Sequence, residues 1–145
     1  MPTLRKLMTE KGYHRIELKT TKTNHLELKA SINGMEGNFL LDTGASSSCV
    51  GFDSADYFAL FAEDSEIRAA GAGATNMLTR ISTKNILKIN TWEKKKLELV
   101  LFDLKHVNEA LTTHKATRVH GIIGADVLKK GKAVIDYEHT CLYLK

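Results

Sequence analysis

The 145-residue chain has the length of one folded domain with a single core. Its 21 Lys and Arg residues exceed its 17 Asp and Glu residues, which gives a formal net charge of +4. Nucleic-acid binders usually carry a larger surplus, with aromatic side chains interleaved among the cations. The lysines of 94–96 and 129–132 are therefore interpreted as solvated turns, and the composition makes nucleic acid an unlikely partner.

The sequence shows no apparent targeting segment and no cofactor-binding motif. Its first residues contain no continuous apolar stretch of the signal-peptide kind, and no later segment reaches membrane-spanning length. We therefore expect a soluble, cytoplasmic protein. Cys49 and Cys141 form no CxxC pair and are predicted to be free, buried thiols. The six histidines lack ligand spacing, so neither a metal nor another cofactor is expected.

The first half of the chain predicts one short helix followed by strands. Residues 4–11 read as a helix of two or three turns, and 1–13 as a possible extension of a single domain spanning 1–145. Apolar and polar residues then alternate over 15–19 and again over Leu26–Ile32, as on a strand with one buried face. Asn33-Gly34 reads as a hairpin turn, because both residue types tolerate positive φ.

The second half repeats this pattern. Alternation at 97–101 predicts a strand, and two short strands are predicted at 133–137 and 142–144. Helices are predicted at 107–113 and at Ala125–Lys130. In the second of these, an acidic residue in the first turn and lysines in the last turn complement the helix dipole, and the glycine that follows is a helix-stop signal. Many short strands and few helices predict an all-β barrel or sandwich.

One acidic side chain stands at the edge of the predicted core. In FLLDTGASSSCV, residues 39–50, a buried strand runs into Asp42, which is followed by Thr43, Gly44 and then small and hydroxyl side chains. An isolated Asp-Thr-Gly occurs by chance at ordinary residue usage, and alone it would be read as a hydrogen-bonded turn. Its position between two apolar segments indicates a loop leaving the core.

A second motif follows near the C-terminus. In VHGIIGADVL, residues 119–128, Ile122 and Ile123 precede Gly124 and the start of a predicted helix. Together the two motifs resemble the retropepsin-like aspartic proteases, a family of single-domain homodimeric enzymes. The resemblance runs from about Leu26 to the C-terminus.

The resemblance implies a retropepsin-like closed β-barrel or sandwich with one short C-terminal helix and a flap hairpin. It implies that Asp42 is catalytic and that Ile122, Ile123 and Gly124 brace the loop that carries it. The glycine-rich stretch between the motifs corresponds to the flap, with its tip at Gly71, Ala72, Gly73 and Ala74. For these small residues an ordinary flexible loop is the alternative.

Peptide hydrolysis needs a base that takes a proton from water and an acid that protonates the departing amide. Two adjacent carboxyls that share one proton can do both, since like charges so close cannot both ionise. This chain has one such motif and is too short for the two-lobed form of these enzymes. We expect the second carboxylate to be Asp42 of another copy across a twofold axis.

The residues around Asp42 have expected supporting roles. In the resembled family, the hydroxyl corresponding to Thr43 hydrogen-bonds across to the partner's loop, and Gly44 lets its N–H approach the carboxylate. Ala45 stands where two-lobed enzymes carry a hydroxyl donor to the aspartate. Its absence favours activity nearer neutral pH.

The loop also departs from the retroviral pattern. Retroviral members pair an acid after the loop with an arginine after the second glycine, and this chain has Ser46 and Ala125 at those places. Because both partners are missing together, no buried charge is left unpaired, and the hydroxyls of residues 46–48 are expected to brace the loop instead.

Two alternatives for the function stay open. Asp126 could serve as an in-chain second carboxylate, although its place in a helical first turn explains it more simply. The chain could also be a catalytically inactive dimeric binding or scaffolding module that keeps the aspartic-protease fold.

Overall fold

The computed structural model describes residues 2–64, 69–71, 74–77 and 79–145. Within these ranges the helices are α1 (Leu4–Glu10), α2 (Lys105–Thr113) and α3 (Ala125–Lys130), with a 3-10 turn at Phe52–Ser54. The strands are β1 (His14–Glu17), β2 (Lys19–Thr20), β3 (Leu26–Ile32), β4 (Met35–Leu41), β5 (Cys49–Gly51), β6 (Ala62–Asp64), β7 (Ala69–Gly71), β8 (Ala74–Met77), β9 (Arg80–Ile89), β10 (Trp92–Phe102), β11 (Gly121–Ile123), β12 (Val134–Asp136) and β13 (Cys141–Leu144).

Six of these strands close into a barrel. They are hydrogen-bonded in the order β3-β4-β11-β5-β10-β9, and a further pairing of β3 with β9 completes the ring. β2 and β6 extend it at β3 and β9. Closure leaves fewer strand edges open to other chains. The predicted all-β closed barrel is confirmed.

In the β3–β4 hairpin, the first strand and the turn have the predicted bounds. Asn33 and Gly34 both have positive φ, at 53° and 87°, which matches the twist of the flanking strands. The Asn33 side chain also ties the turn to the barrel, since its Nδ2 donates to the Phe58 carbonyl at 2.9 Å and its Oδ1 accepts from the Ile86 N–H at 3.0 Å. Asn33 therefore both forms the turn and attaches it to the rest of the barrel.

The two faces of the barrel wall bury separate apolar clusters. The main core fills the interior and includes the fully buried side chains of Phe39, Leu87 and Ile123. A second cluster lies on the outer face, where α2 covers Leu40 and Ile122. Because side chains alternate along a strand, neighbours such as Leu40 and Phe39 belong to different clusters.

The N-terminal helix packs on a smaller sheet. β13 lies between β1 and β12, and Met8 of α1 is buried with Cys141 and Tyr143 on one face of this sheet. The predicted helix at 4–11 is confirmed. Its first turn is capped by Thr3, whose hydroxyl accepts from the Lys6 N–H at 3.1 Å.

Several predicted elements differ in extent from those observed; the strand predicted at 97–101, for example, is the second half of β10. The single strand predicted at 15–19 is divided, since β1 pairs with β13 while β2 pairs with β3, and the chain changes sheets at Leu18. The helix predicted at 107–113 begins at Lys105. The Asp103 carboxylate accepts the Lys105 N–H at 2.8 Å and so caps an earlier start.

The cysteine prediction is confirmed: Cys49 and Cys141 are free and buried. In the part of the chain that the structure describes, none of the helices combines the length and the apolar character that a membrane span requires.

Gly121 lies where the barrel wall is tightest. A Cβ on Gly121 would stand 2.1 Å from the Cys49 carbonyl oxygen and 3.0 Å from the Phe39 ring. Backbone atoms cannot yield as a flexible side chain can, so any larger residue would force the strands apart.

We expect Gly121→Ala to lower the free energy of unfolding by about 2 to 3 kcal/mol, as overpacking of a core does. Denaturant unfolding followed by circular dichroism measures this. Gly51→Ala is the matched control on the neighbouring strand, because its closest new contact is the side chain of exposed Asp53 at 2.9 Å. Equal losses in the two variants would contradict this account.

The β12–β13 turn is held by a buried carboxylate. Asp136 accepts the backbone N–H of His139 at 3.2 Å, and its Oδ2 lies 2.8 Å from Nδ1 of the same imidazole. The pKa of Asp136 is lowered, first because of the hydrogen bond from the His139 ring, which outweighs the opposing effect of burial. A lowered folded-state pKa stabilises the fold above the unfolded pKa, and this stabilisation is lost as pH falls through the folded value.

Asp136→Asn is therefore expected to lower Tm near neutral pH, and the gap to the unaltered chain should close below about pH 3. Thermal melts at several pH values measure the gap. Glu138→Gln, which alters an exposed neighbour in the same turn, should show no such convergence. A gap for Asp136→Asn that persists unchanged in acid would refute the assignment.

Candidate active site

Strand pairing brings the two sequence motifs side by side. β11 runs parallel to β4, with Gly121 opposite Phe39 and Ile123 opposite Leu41. The pairing continues one step beyond β4, where the Asp42 N–H donates to the Ile123 carbonyl at 3.0 Å. β11, the strand of the second motif, thus fixes the position of the Asp42 backbone.

A tight turn follows Asp42. The Gly44 N–H donates to Asp42 Oδ1 at 2.9 Å, and the Ala45 N–H donates to the Asp42 carbonyl at 3.2 Å. A Cβ on Gly44 would come within 3.2 Å of the same carboxylate oxygen. The turn holds the Asp42 side chain in one orientation, and Asp42, Thr43 and Gly44 are all exposed to solvent.

The segment after β11 braces the far side of this turn. The Ala125 N–H donates to the Ala45 carbonyl at 2.7 Å. Gly124 passes so close that a Cβ there would lie 2.6 Å from that carbonyl oxygen. Ile122 and Ile123 are buried on opposite faces of the wall, Ile123 in the barrel core and Ile122 in the cluster under α2.

Ser48 and Asp126 form a polar link between the two motifs. The backbone N–H and the hydroxyl of Ser48 both donate to Asp126 Oδ1, at 2.9 and 2.7 Å. The same hydroxyl accepts from the Gly124 N–H at 2.9 Å. Ser48 is fully buried, so these bonds are shielded from water. Asp126, in the first turn of α3 as predicted, is occupied by this link.

The expected bracing by hydroxyls concentrates on Ser48. Ser46 is exposed, and neither it nor Thr43 makes a side-chain hydrogen bond to any residue that the structure describes. The sequence carried a signal for this difference, because Ser48 directly precedes the buried strand β5 whereas Ser46 stands two residues further out in the loop.

An apolar wall adjoins the Asp42 turn. Leu40, Ile122 and Cys49 lie opposite one another on β4, β11 and β5, and Ala45 packs against this same cluster. Because side chains alternate along a strand, Asp42 lies on the same face as Leu40. The exposed carboxylate thus borders a buried apolar cluster, which supports the turn from below.

Cys49 is not available for nucleophilic chemistry. Burial raises the pKa of its thiol to about 12, and Asp126 and Asp42 add to the rise while the backbone of Ile122 opposes it. The thiol therefore stays protonated at physiological pH, and the thiolate is the reactive form.

Two of the predicted flap residues, Gly71 and Ala74, lie on a pair of short antiparallel strands. β7 and β8 are antiparallel, with Gly71 at the end of β7 opposite Ala74 at the start of β8. Ala72 and Gly73 lie outside the described residues.

A possible metal-ligand group lies elsewhere. Donor atoms of Asp136, Glu138 and His139 fall within 4.8 Å of one another. The hydrogen bonds from His139 to Asp136 account for this closeness as part of a turn.

Comparisons with known proteins agree with this geometry. The sequence model of the aspartyl protease family matches residues 28–127, and no curated protein sequence matches the chain. A retropepsin-like aspartic protease from Rickettsia conorii shares the fold at TM-score 0.61 and 18% identity, over 91% of each chain.

Two further solved structures share the fold. The EIAV protease complexed with the inhibitor HBY-793 matches at TM-score 0.55 and 20% identity, over 76% of this chain and 90% of that one. The retroviral protease-like domain of Ddi1 from Leishmania major matches at TM-score 0.55 and 18% identity, over 83% and 88%. The match of the family model over most of the chain means that the chain belongs to the aspartyl protease family, and the solved structures show that its barrel has the retropepsin-like fold.

Proposed function

We propose that the chain is an aspartic endopeptidase that works as a homodimer. Asp42 of each copy contributes one carboxyl, and the pair shares one proton. The ionised carboxyl takes a proton from water as the water attacks the peptide carbonyl. The protonated carboxyl gives its proton to the amide nitrogen as the C–N bond breaks. The observation that carries the proposal is Asp42 itself, exposed and oriented by the Gly44 N–H.

The need for a second copy follows from chemistry and from the use of Asp126. One carboxyl cannot act as base and acid together. Asp126, the acidic residue of the second motif, accepts two hydrogen bonds from Ser48, and moving it would leave a buried donor unpaired. A twofold axis beside the exposed turn at Asp42–Gly44 would supply an identical carboxyl.

The surrounding residues take supporting roles in this proposal. Gly44 and Ala45 shape the turn, while Thr43 and Ser46, both exposed, are available to the partner's loop across the axis. The β7–β8 hairpin acts as the flap and pairs with the extended peptide, so that its tip at residues 71–74 closes over the scissile bond.

We further propose that 1–145 form one protease domain with α1 as its extension and that the protein acts in the cytoplasm. Two free buried thiols suit a reducing compartment. Peptides or proteins are the substrates, and no cofactor takes part in this chemistry.

Asp42→Asn is expected to reduce peptide cleavage by about a thousandfold or more, because the pair then lacks its base. Cleavage of a diverse peptide library over a broad pH range, read by mass spectrometry, measures the loss. Asp56→Asn, at another exposed aspartate, is the control and should cleave as the unaltered chain does.

Sedimentation analysis of the same proteins tests the dimer. Both variants should sediment as dimers, since neither change alters an apolar contact. A chain that remains monomeric at working concentrations contradicts the proposal. A dimer that cleaves nothing favours the binding or scaffolding module instead.

Ser48→Ala is expected to lower the free energy of unfolding by about 1 to 3 kcal/mol and to lower kcat/KM. The change deprives Asp126 of one donor and Gly124 of its acceptor at a site shielded from water. Chemical denaturation and peptide kinetics measure the two effects. Ser47→Ala, on the exposed side of the same loop, should be close to neutral. Equal stability and equal kcat/KM in the two variants would show that Ser48 does not brace the loop.

A further inference from the structure

A transverse row of side chains crosses the outer face of the barrel wall next to Asp42. The strand register sets Lys19 opposite Glu27, Glu27 opposite Leu40, and Leu40 opposite Ile122. Residues directly opposite one another on neighbouring strands point to the same face. Glu27 therefore stands at the end of the apolar wall that borders Asp42.

The Glu27 carboxylate is buried but unpaired. The residue is only 7% exposed, and among the residues that the structure describes it has no hydrogen-bond or ion-pair partner. Burial raises its pKa, and the positive charges of Lys19 and Lys29 offset part of that rise. Lys29 is itself bound to Glu36, at 3.4 Å. The Glu27 oxygens are not among the fully enclosed polar atoms, so the carboxylate meets water at the groove that it lines and is open there to a cationic partner.

Glu27 faces an open space large enough for such a partner. It lines a groove of about 860 Å³, together with Asn38 on β4 and Thr117, which lies in the segment between α2 and β11. The groove is open to solvent, unlike the covered cluster under α2, and apolar side chains line it together with the charged residues Glu17, Glu36, Lys29 and Lys88. A ligand could therefore enter without displacing any apolar side chain.

The groove is within reach of a peptide bound at Asp42. Glu27 is opposite Leu40, which is two residues before Asp42 on the same face. With a rise of about 3.3 Å per residue and a strand spacing of about 4.8 Å, the Cα atoms of Glu27 and Asp42 are about 8 Å apart. The long stem of a lysine or arginine beside the scissile bond can bridge that distance.

We propose that Glu27 forms a subsite for a basic side chain, so that the protease prefers peptides with lysine or arginine close to the bond that it cleaves. This inference rests on the function proposed above. The substrate's cation gives the buried carboxylate the ion pair that the chain itself leaves unmade. Lys19, which is exposed and opposite Glu27, forms no ion pair with it but competes electrostatically with a substrate cation.

A matched peptide series tests the subsite. A peptide that the protein cleaves is resynthesised with lysine, its uncharged isostere norleucine, or glutamate at each position flanking the scissile bond. At one position kcat/KM should favour lysine over norleucine by roughly tenfold or more, the value of a charge-assisted bond in a shielded site. Glu27→Gln should reduce that ratio to about two or less.

Two further variants test whether the preference for lysine depends on Glu27 itself. Glu36→Gln changes a second carboxylate of the same groove, one that is exposed and already paired with Lys29, and should keep the ratio. Lys19→Gln should raise the ratio, because it removes the competing cation. A lower ratio in Lys19→Gln would mean that Lys19 organises the site and would overturn the proposal.

Failure of the subsite and failure of the protease activity are separable. If peptides are cleaved with no preference for lysine at any position, the subsite is refuted and the endopeptidase stands. If nothing is cleaved, the endopeptidase fails, and calorimetric binding of the lysine and norleucine peptides decides the subsite. Tighter binding of the lysine peptide that Glu27→Gln removes supports it, and equal affinities overturn it.

Discussion

The active-site geometry of this protein depends on the parallel pairing of β4 with β11. That pairing carries the hydrogen bond from the Asp42 N–H to the Ile123 carbonyl, and it brings the second motif against the turn. It is possible only because Gly121 and Gly124 lack side chains where the Cys49 and Ala45 carbonyls pass. Two glycines thus determine where a carboxylate on another strand can stand.

Polar bonds then hold the turn in place without an ion pair. Ser48 satisfies Asp126 through two donors and Gly124 through one acceptor, within a space closed to water. A buried arginine and carboxylate would bind more strongly but would both require desolvation, a cost that the hydroxyl largely avoids. Only Asp126 brings a charge into this link, and α3 begins beside it with its positive dipole end.

The same face of the barrel carries three different environments in a short distance. Asp42 is exposed, Leu40 and Ile122 are covered by α2, and Glu27 is largely buried at the edge of an open groove. On the function proposed above, a peptide held at Asp42 would meet the anionic site but not the covered apolar cluster. Such a site discriminates between substrates by charge.

Local sequence was sufficient wherever neighbouring residues decide the structure. Alternation over Leu26–Ile32 and the Asn33-Gly34 turn predicted the first hairpin, and the two motifs predicted the family and the closed barrel. The helix Ala125–Lys130 was likewise marked by its own first and last turns. These features are local because backbone preference and side-chain period act over a few residues.

The tertiary structure decided what depends on residues far apart in the chain. It chose Ser48 among three serines, because only Ser48 meets Asp126, 78 residues away. It divided the strand at Leu18, since β1 and β2 find partners in different sheets. It also left only 7% of Glu27 exposed, at the edge of a groove, although its alternation in the sequence suggests an ordinary exposed residue. Burial and partnership arise from packing between strands, and no short stretch of sequence contains that information.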